Sequence, residues 1–227
     1  MSTREEAKDR RRRQITAAAR TLMQKGDTSF TMRNLAETAG VSIATPYNLF
    51  GSKQAVMFAV METDLSQYAA TLAAQDVDEL EVFFRAVEVA ADHYGREPDY
   101  HRGVLFAAYS DGGREYRSLF AGPGHALWRD MVTRAVAAGR LRATVEANAF
   151  AATLEHLLFS CVLEWVRGEL DLDELVLRAH YGFALVLLGM AEAPCRTALE
   201  ARAEALQTRL VALWTAGTVA AGDARSA

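Results

Sequence analysis

The sequence predicts an all-α protein in which an N-terminal three-helix helix-turn-helix head precedes a larger helical-bundle body. Apolar residues recur at helical spacing along most of the 227-residue chain, and no stretch alternates apolar and polar residues as a half-buried strand does. Ala and Leu outnumber Val and Ile, which also favours helices. We expect the DNA-binding head in residues 1–53, the effector-binding and dimerisation body in 54–216 and a flexible tail in 217–227.

Charge is divided unevenly between these parts. The chain has a net charge of −4, but residues 1–53 carry ten Lys and Arg against five Asp and Glu, a balance of +5. The remaining residues carry 15 basic side chains against 24 acidic ones, a balance of −9. A basic head on an acidic body predicts that the head meets a polyanion.

Composition excludes several other classes of protein. Cys161 and Cys195 are the two cysteines, a number that favours reduced thiols in the cytosol over a disulfide scaffold. The longest run of apolar residues and glycine, 181–191, is far shorter than the ~20 residues that span a bilayer. No secretory signal opens the sequence, because its first thirteen residues are polar and basic. We therefore expect a soluble cytoplasmic protein with no membrane partner.

Four helices follow one another in the N-terminal region. The first helix has a stripe of apolar residues that we expect to be buried, and it stops near Gly26. Thr31 can cap the second helix, which ends at Gly40. Ser42 can cap a short third helix, and Ser52 a longer fourth one. The stripe of the first helix consists of Ile15, Ala18, Ala19, Leu22 and Met23.

The body continues the helical pattern. We expect helices over 78–94, 147–168 and 197–214, a helix opened by Pro98, one that ends at Gly139 and one capped by Asp171. Glycine-containing segments at 111–113 and 121–124 are the clearest breaks.

The segment from Thr31 to Lys53 has the form of a helix-turn-helix. Gly40 supplies the tight turn and Val41 fills the corner. The second helix of such a motif enters the major groove of DNA while the first crosses the phosphate backbone. Short or polar side chains that can approach base edges or phosphates follow the turn, namely Ser42, Ile43, Ala44, Thr45, Tyr47 and Asn48.

Phosphates have further candidate partners at the helix ends. The helix N-termini near Thr31, Ser42 and Ser52 can bind anions, and Lys53 adds a cation beside the last of them. Each of these hydroxyl residues can also act simply as a cap. Arg10 to Arg13 form a basic run, which is either a solvated mobile arm or a contact to phosphate or minor groove.

The sequence around this motif resembles the TetR family of bacterial transcription regulators over about residues 10–65. The resemblance is carried by Ala39-Gly40-Val41-Ser42, then Thr45-x-Tyr47, then Phe50-x-Ser52-Lys53 with Val56. It implies a homodimer whose bodies bind a small molecule and associate through their last long helices. Most members of the family are repressors that the ligand releases from DNA.

The resemblance also assigns roles to individual residues. Thr31 and Arg33 match phosphate-holding positions, and Tyr47 and Lys53 match contacts to the DNA backbone. Groove-facing positions are matched by Ser42, Ala44, Thr45 and Asn48, and Ile43 completes the predicted DNA-binding set.

Two residues depart from the family pattern. Pro46 stands where Leu is common, and Leu49 where His is common. If Ser42 caps the recognition helix, Pro46 is its fourth residue and removes the hydrogen bond to the Ser42 carbonyl, which would make the helix tighter or delay its start. Leu49 lacks the ring nitrogen with which a His could contact the DNA backbone.

Bulky apolar residues of the body suit an apolar or aromatic effector, although each of them can equally be ordinary core. The candidate ligand-binding residues are Met61, Phe84, Val87, Leu105, Tyr109, Trp128, Met131, His156 and Phe159. The five histidines are scattered and match no metal-ligand spacing, so we expect no metal and no cofactor.

Three functions remain open at this point. The first is a dimeric repressor that leaves a palindromic operator when a small apolar or aromatic effector binds. The second is a DNA-binding adaptor that responds to a protein partner and has no small-molecule pocket. The third is a helical-bundle enzyme, which we disfavour because no catalytic motif is present.

Overall fold

The computed structural model describes residues 3–25, 30–110 and 120–223. Within these ranges the fold is all-α, which confirms the predicted class, and an isolated antiparallel bridge between Leu141 and Ala191 is the only strand-like pairing there. A π-helical turn over Phe120–Gly124 precedes α7 and contains Pro123. The described residues form ten α-helices, which are α1 Thr3–Gln24, α2 Met32–Ala39, α3 Ala44–Phe50, α4 Lys53–Ala73, α5 Glu81–Arg96, α6 Pro98–Ser110, α7 His125–Ala137, α8 Ala147–Val166, α9 Leu172–Met190 and α10 Ala193–Asp223.

The chain forms two compact units. The first comprises Met1–Thr71 and His93–Gly124, and the second comprises Leu72–Asp92 and His125–Ala227. The first unit therefore extends past residue 53, the boundary that the sequence predicts for the head. The second unit is made largely of α7, α8, α9 and α10 with most of α5.

The first unit is built on the predicted stripe of α1. Ile15 and Ala19 are fully buried, and Leu22 packs against the same core. The core is completed by residues beyond the predicted head, because the first half of α4 and the start of α6 both contribute to it. These added core residues are Val56, Met57, Val60, Met61, Tyr100 and Val104.

Aromatic side chains hold the centre of the second unit. Trp128 of α7 stacks on Phe83 of α5 at 6.5 Å between ring centroids and meets Phe183 of α9 edge-on at 5.6 Å. Asp171 caps α9 as predicted, in a reciprocal capping box with Glu174. This unit thus has a packed apolar interior of its own.

Helix α8 is the one described helix that is long and apolar enough to cross a membrane by length and composition alone. A core helix passes the same test. Leu154, Val162 and Trp165 of α8 are buried inside the second unit, as in a core helix.

Some predicted boundaries differ from the observed ones. Helix α10 begins at Ala193 rather than 197 and continues to Asp223, so it includes residues that the sequence assigns to the tail. Residues 224–227 and the predicted break at 111–113 lie outside the described residues. Arg10 to Arg13 belong to α1, so the mobile-arm interpretation of this basic run is wrong.

Candidate nucleic-acid interface

Helix α2 has well-defined ends. The Thr31 hydroxyl accepts a hydrogen bond from the Asn34 amide at 3.2 Å, and the Asn34 side chain accepts one from the Thr31 amide at 3.3 Å. This reciprocal capping box confirms Thr31 as the cap. At the other end Gly40 is left-handed, with φ of 63°, and the next amide, that of Val41, donates to the Ala36 carbonyl at 3.0 Å. The turn therefore forms at the glycine that the sequence indicates.

The start of α3 differs from the prediction. The helix begins at Ala44, and the residue at its N-cap is Ile43, whose side chain makes no capping hydrogen bond. The hydroxyl of Ser42 instead pairs with the hydroxyl of Thr45 at 2.8 Å, and the Ser42 carbonyl accepts the Thr45 amide at 2.9 Å. The prediction that Ser42 caps this helix is therefore wrong.

This late start explains how the helix accommodates Pro46. With Ile43 at the N-cap, Pro46 is the third helical residue, where a backbone amide has no intrahelical partner. The missing N–H of proline thus removes no hydrogen bond from α3, and its ring is buried against the rest of the unit.

The recognition helix has two distinct faces. Ala44, Tyr47 and Asn48 are exposed and share a face because they are three and four residues apart. Together with Ile43 they form what we call the reading face; Ile43 is 47% exposed and Tyr47 51% exposed. Large side chains are seldom left in water without a purpose when they lie together. Ser42 is also exposed, and Thr45 is half-buried.

The opposite face packs inward. Pro46 is buried, and Leu49 and Phe50 pack against the core of the first unit. Leu49, which departs from the family pattern, is thus a packing residue whose backbone carbonyl also accepts a hydrogen bond. These contacts hold α3 so that the reading face points to solvent.

Helix α1 fixes the ends of both short helices through residues that sequence reasoning missed. Arg12 Nη1 donates to the Leu49 carbonyl at 2.6 Å, and its guanidinium lies 4.4 Å from the centre of the Phe50 ring. Gln14 Nε2 donates to the Ala39 carbonyl at 2.7 Å. A helix C-terminus leaves carbonyls unpaired and carries partial negative charge, so a donor there, especially a cation, is stabilising.

The sequence holds a partial signal for Arg12. Arg12, Ile15 and Ala19 are spaced i, i+3 and i+7, which puts Arg12 in phase with the buried stripe of α1, but Arg11, Ile15 and Ala18 at i, i+4 and i+7 fit the stripe equally well. Arg10, Arg11 and Arg13 are exposed, so the structure and not the helical period singles out Arg12.

The predicted phosphate contacts lie around the starts of α2 and α4. Thr31 and Arg33 are exposed. Ser52 caps α4, as predicted, by accepting the Ala55 amide at 3.1 Å. Lys53 places its Nζ 4.8 Å from the centre of the Phe30 ring, just before α2. This contact brings the start of α4 beside the chain that leads into α2.

The predicted ligand-binding residues are divided between the two units. Met61 and Leu105 are buried in the first, whereas Phe84, Val87, Trp128 and Met131 are buried in the second. Phe159 is half-buried on α8, and the side chain of Tyr109 lies outside the described residues. His156 is exposed, and its ring pairs with the Ala152 carbonyl of its own helix. Their role in binding a ligand stays a prediction.

The second unit holds a polar pair that was not predicted. Glu155 of α8 is 9% exposed, and its carboxylate lies 2.7 Å from Nδ1 of His125. Burial raises the pKa of Glu155, while the hydrogen bond to His125 works in the opposite direction.

Comparison with known proteins agrees with this architecture. Residues 15–60 match the model of the bacterial regulatory proteins of the TetR family. The structure of Thermus thermophilus FadR, a TetR-family transcriptional repressor in complex with lauroyl-CoA, is 26% identical, with 81% of this chain and 97% of that chain covered at a TM-score of 0.66. No curated protein sequence matches the chain.

Two more distant structures share the fold. A TetR transcriptional regulator from Rhodococcus sp. RHA1 is 18% identical, with 79% of this chain and 97% of that chain covered at a TM-score of 0.65. RolR in complex with resorcinol is 16% identical, with 88% and 95% covered at a TM-score of 0.67.

The fold and the head thus define a helix-turn-helix protein of the transcription-regulator class. More particularly, residues 15–60 match the TetR-family DNA-binding domain and the chain shares its helical fold with TetR-family transcriptional regulators, in agreement with the resemblance found in the sequence. Its relatives are regulators and not enzymes, in agreement with the non-enzymatic interpretation.

Proposed function

We propose that the chain is a homodimeric, sequence-specific repressor that binds a palindromic operator and leaves it when a small apolar or aromatic effector binds the second unit. The observation that carries the DNA-binding part is the reading face of α3, which is exposed and carries a hydroxyl, an amide and short apolar groups. The cytoplasm is the compartment in which such a protein meets its operator.

Electrostatics support DNA as the partner. The first 53 residues hold a balance of +5, and exposed Arg10, Arg11, Arg13 and Arg33 are available to phosphates. Phosphate contacts release counterions, so affinity is expected to fall as salt rises. Asn48 has the amide that pairs with adenine in the major groove, and Ala44 and Ile43 suit thymine methyl groups.

A second copy of the chain is the proposed partner of the last two helices. Leu185 and Met190 of α9 and Val211 and Trp214 of α10 are large apolar residues that remain exposed in one subunit. Covering such residues removes apolar area from water, which favours association. A symmetric dimer would present two copies of α3 to half-sites separated by about one turn of DNA, ~34–36 Å, or a multiple of it.

The apolar interior of the second unit supports the effector class. Phe83, Trp128 and Phe183 bring three aromatic rings together, and buried Phe84 and Val87 extend that interior along α5. The relatives in complex with lauroyl-CoA and with resorcinol hold an acyl-chain ligand and an aromatic one. Release follows if the effector binds best to a conformation whose two heads are wrongly spaced for the operator.

Selection of random duplexes on the purified full-length protein would test DNA recognition. We expect a palindromic sequence to be enriched. Tyr47→Phe and Lys53→Ala should weaken binding to all duplexes, and Lys53→Ala should also lower the salt dependence. Asn48→Ala should instead relax the sequence preference and cost about 1–3 kcal/mol, while Asn148→Ala in the second unit serves as the control. Enrichment of no sequence at low salt would contradict the proposal.

The dimer and the effector need separate measurements. Sedimentation should give a dimer that Trp214→Glu converts to a monomer, and a lone subunit in the wild type would refute the dimer. Apolar and aromatic compounds should then be screened for release of the selected duplex and for a shift in thermal midpoint. If none has either effect, the adaptor interpretation is favoured over the effector-released repressor.

A further inference from the structure

Three side chains that are far apart in sequence meet inside the first unit. Asp64 belongs to α4, His93 to α5 and His101 to α6, and one ligand atom from each lies within 4.8 Å of the other two. The sequence-based view that all five histidines are scattered is therefore wrong for His93 and His101. The fold brings together two imidazoles and a carboxylate, which linear spacing could not reveal.

His93 supplies a buried ring nitrogen that lacks a hydrogen-bond partner. Its Nε2 is inaccessible to solvent and has no hydrogen-bond partner among the described residues. Buried polar atoms in folded proteins nearly always have a partner, and an orphan indicates a water, an ion or a functional group that belongs there. The neighbouring ring of His101 is 4.5 Å away between centroids.

His101 is a buried imidazole with a fixed orientation. The side chain is 5% exposed. The backbone of His93 hydrogen-bonds to the His101 ring, the kind of outer contact that orients a metal-binding imidazole.

Asp64 completes the set with an oriented carboxylate. It accepts a hydrogen bond from the Tyr100 hydroxyl at 2.7 Å and another from the guanidinium of Arg20. A carboxylate has about four lone-pair sites, so capacity remains for a further partner. Arg20 and Arg96 oppose a cation here, whereas Asp64 and Glu97 favour one, and Glu97 is itself paired with Arg20.

We propose that Asp64, His93 and His101 bind a divalent transition-metal ion of the zinc class. Two imidazoles and one carboxylate are a donor set that suits zinc, nickel or cobalt and leaves coordination positions for water or another ligand. Bonds of about 2.1 Å in a tetrahedral site place donors ~3.4 Å apart, so the three side chains must draw together by small rotations. The site stands independently of the proposed operator and effector.

Metal binding by the full-length protein tests this site. After treatment with EDTA and its removal, the wild type should take up one cobalt ion per chain with a change in visible absorption, and zinc should displace it. His93→Gln and His101→Gln should weaken zinc binding at least about 100-fold, since each removes a direct ligand. His156→Gln, which changes an exposed histidine of the second unit, is the matched control and should bind as the wild type does.

Two results would overturn the proposal. One is the absence of cobalt and zinc uptake by the wild type, and the other is equal affinity in His93→Gln and His156→Gln. X-ray absorption of the zinc-loaded wild type gives an answer that needs no variant, because two imidazole ligands are expected and fewer than two would exclude the site. DNA selection and effector screening are measured separately, so failure here leaves the repressor function unaffected.

Discussion

Removing Arg12 should loosen the recognition helix without removing any residue from the reading face. The guanidinium donates to the Leu49 carbonyl at 2.6 Å and lies over the Phe50 ring at 4.4 Å. A hydrogen bond from a charged donor contributes about 1.5 kcal/mol at the lower end of its range, suited to a half-buried side chain. The cation–π contact adds about 0.5 kcal/mol, so Arg12→Ala should lower the free energy of local opening of α3 by about 2 kcal/mol.

Hydrogen exchange can measure this local loss. The Gly51 amide donates to the Tyr47 carbonyl at 2.8 Å and reports on the last turn of α3. A loss of about 2 kcal/mol makes its exchange ~30-fold faster when exchange follows local opening. Arg13→Ala is the matched control, because it removes the same charge from an exposed neighbour. Equal exchange in Arg12→Ala and Arg13→Ala would refute the role assigned to Arg12.

Three other perturbations have defined outcomes. Gly40→Ala should destabilise the first unit by about 1–2 kcal/mol in urea unfolding, because φ is +63° there while the new methyl group meets no atom within 4 Å. Gly189 lies in a helix, and a methyl group added there also meets no atom within 4 Å, so Gly189→Ala should instead stabilise the protein by about 0.5–1 kcal/mol. If both variants changed the stability in the same direction, the argument from the left-handed backbone of Gly40 would be contradicted. Thr31→Ala should cost about 1 kcal/mol through the lost cap of α2, seen as a lower thermal midpoint, and an unchanged midpoint would argue against the capping box. Burial raises the pKa of Glu155, so the folded state binds the carboxyl proton more firmly than the unfolded state does, and the free energy of unfolding of the wild type should fall as the pH rises past the usual glutamate range. Glu155→Gln should flatten this part of the curve of stability against pH, and an unaltered curve would contradict the role of Glu155.

The elements of the head were predictable because short-range chemistry determines them. Thr31 is followed by Asn34 at capping-box spacing, and Gly40 follows the last apolar position of α2. The stripe of α1 has a helical period that only one buried face can satisfy. The start of α3 was mispredicted because a serine before a helix often caps it. Here the Ser42 hydroxyl pairs with the hydroxyl of Thr45, and Pro46 favours a later start of the helix.

Contacts between distant parts of the chain were beyond sequence reasoning. The bonds from Arg12 to Leu49 and from Gln14 to Ala39 depend on how α1 crosses the two short helices, which periodicity does not specify. The approach of Asp64 to the two histidines depends in the same way on the packing of three helices. Periodicity identified Met61 as apolar, but only the fold puts it in the core of the first unit.

The grip of α1 on both short helices has a consequence for how DNA affinity can be controlled. Arg20, on the same helix, pairs with Asp64 of α4 and with Glu97 just before α6, and it lies over the ring of Tyr100. A shift in α4 or α6 would therefore carry α1 along, and α1 would carry the recognition helix as an intact body. Regulation through this unit would change the position and direction of the recognition helix and leave its internal structure as it is.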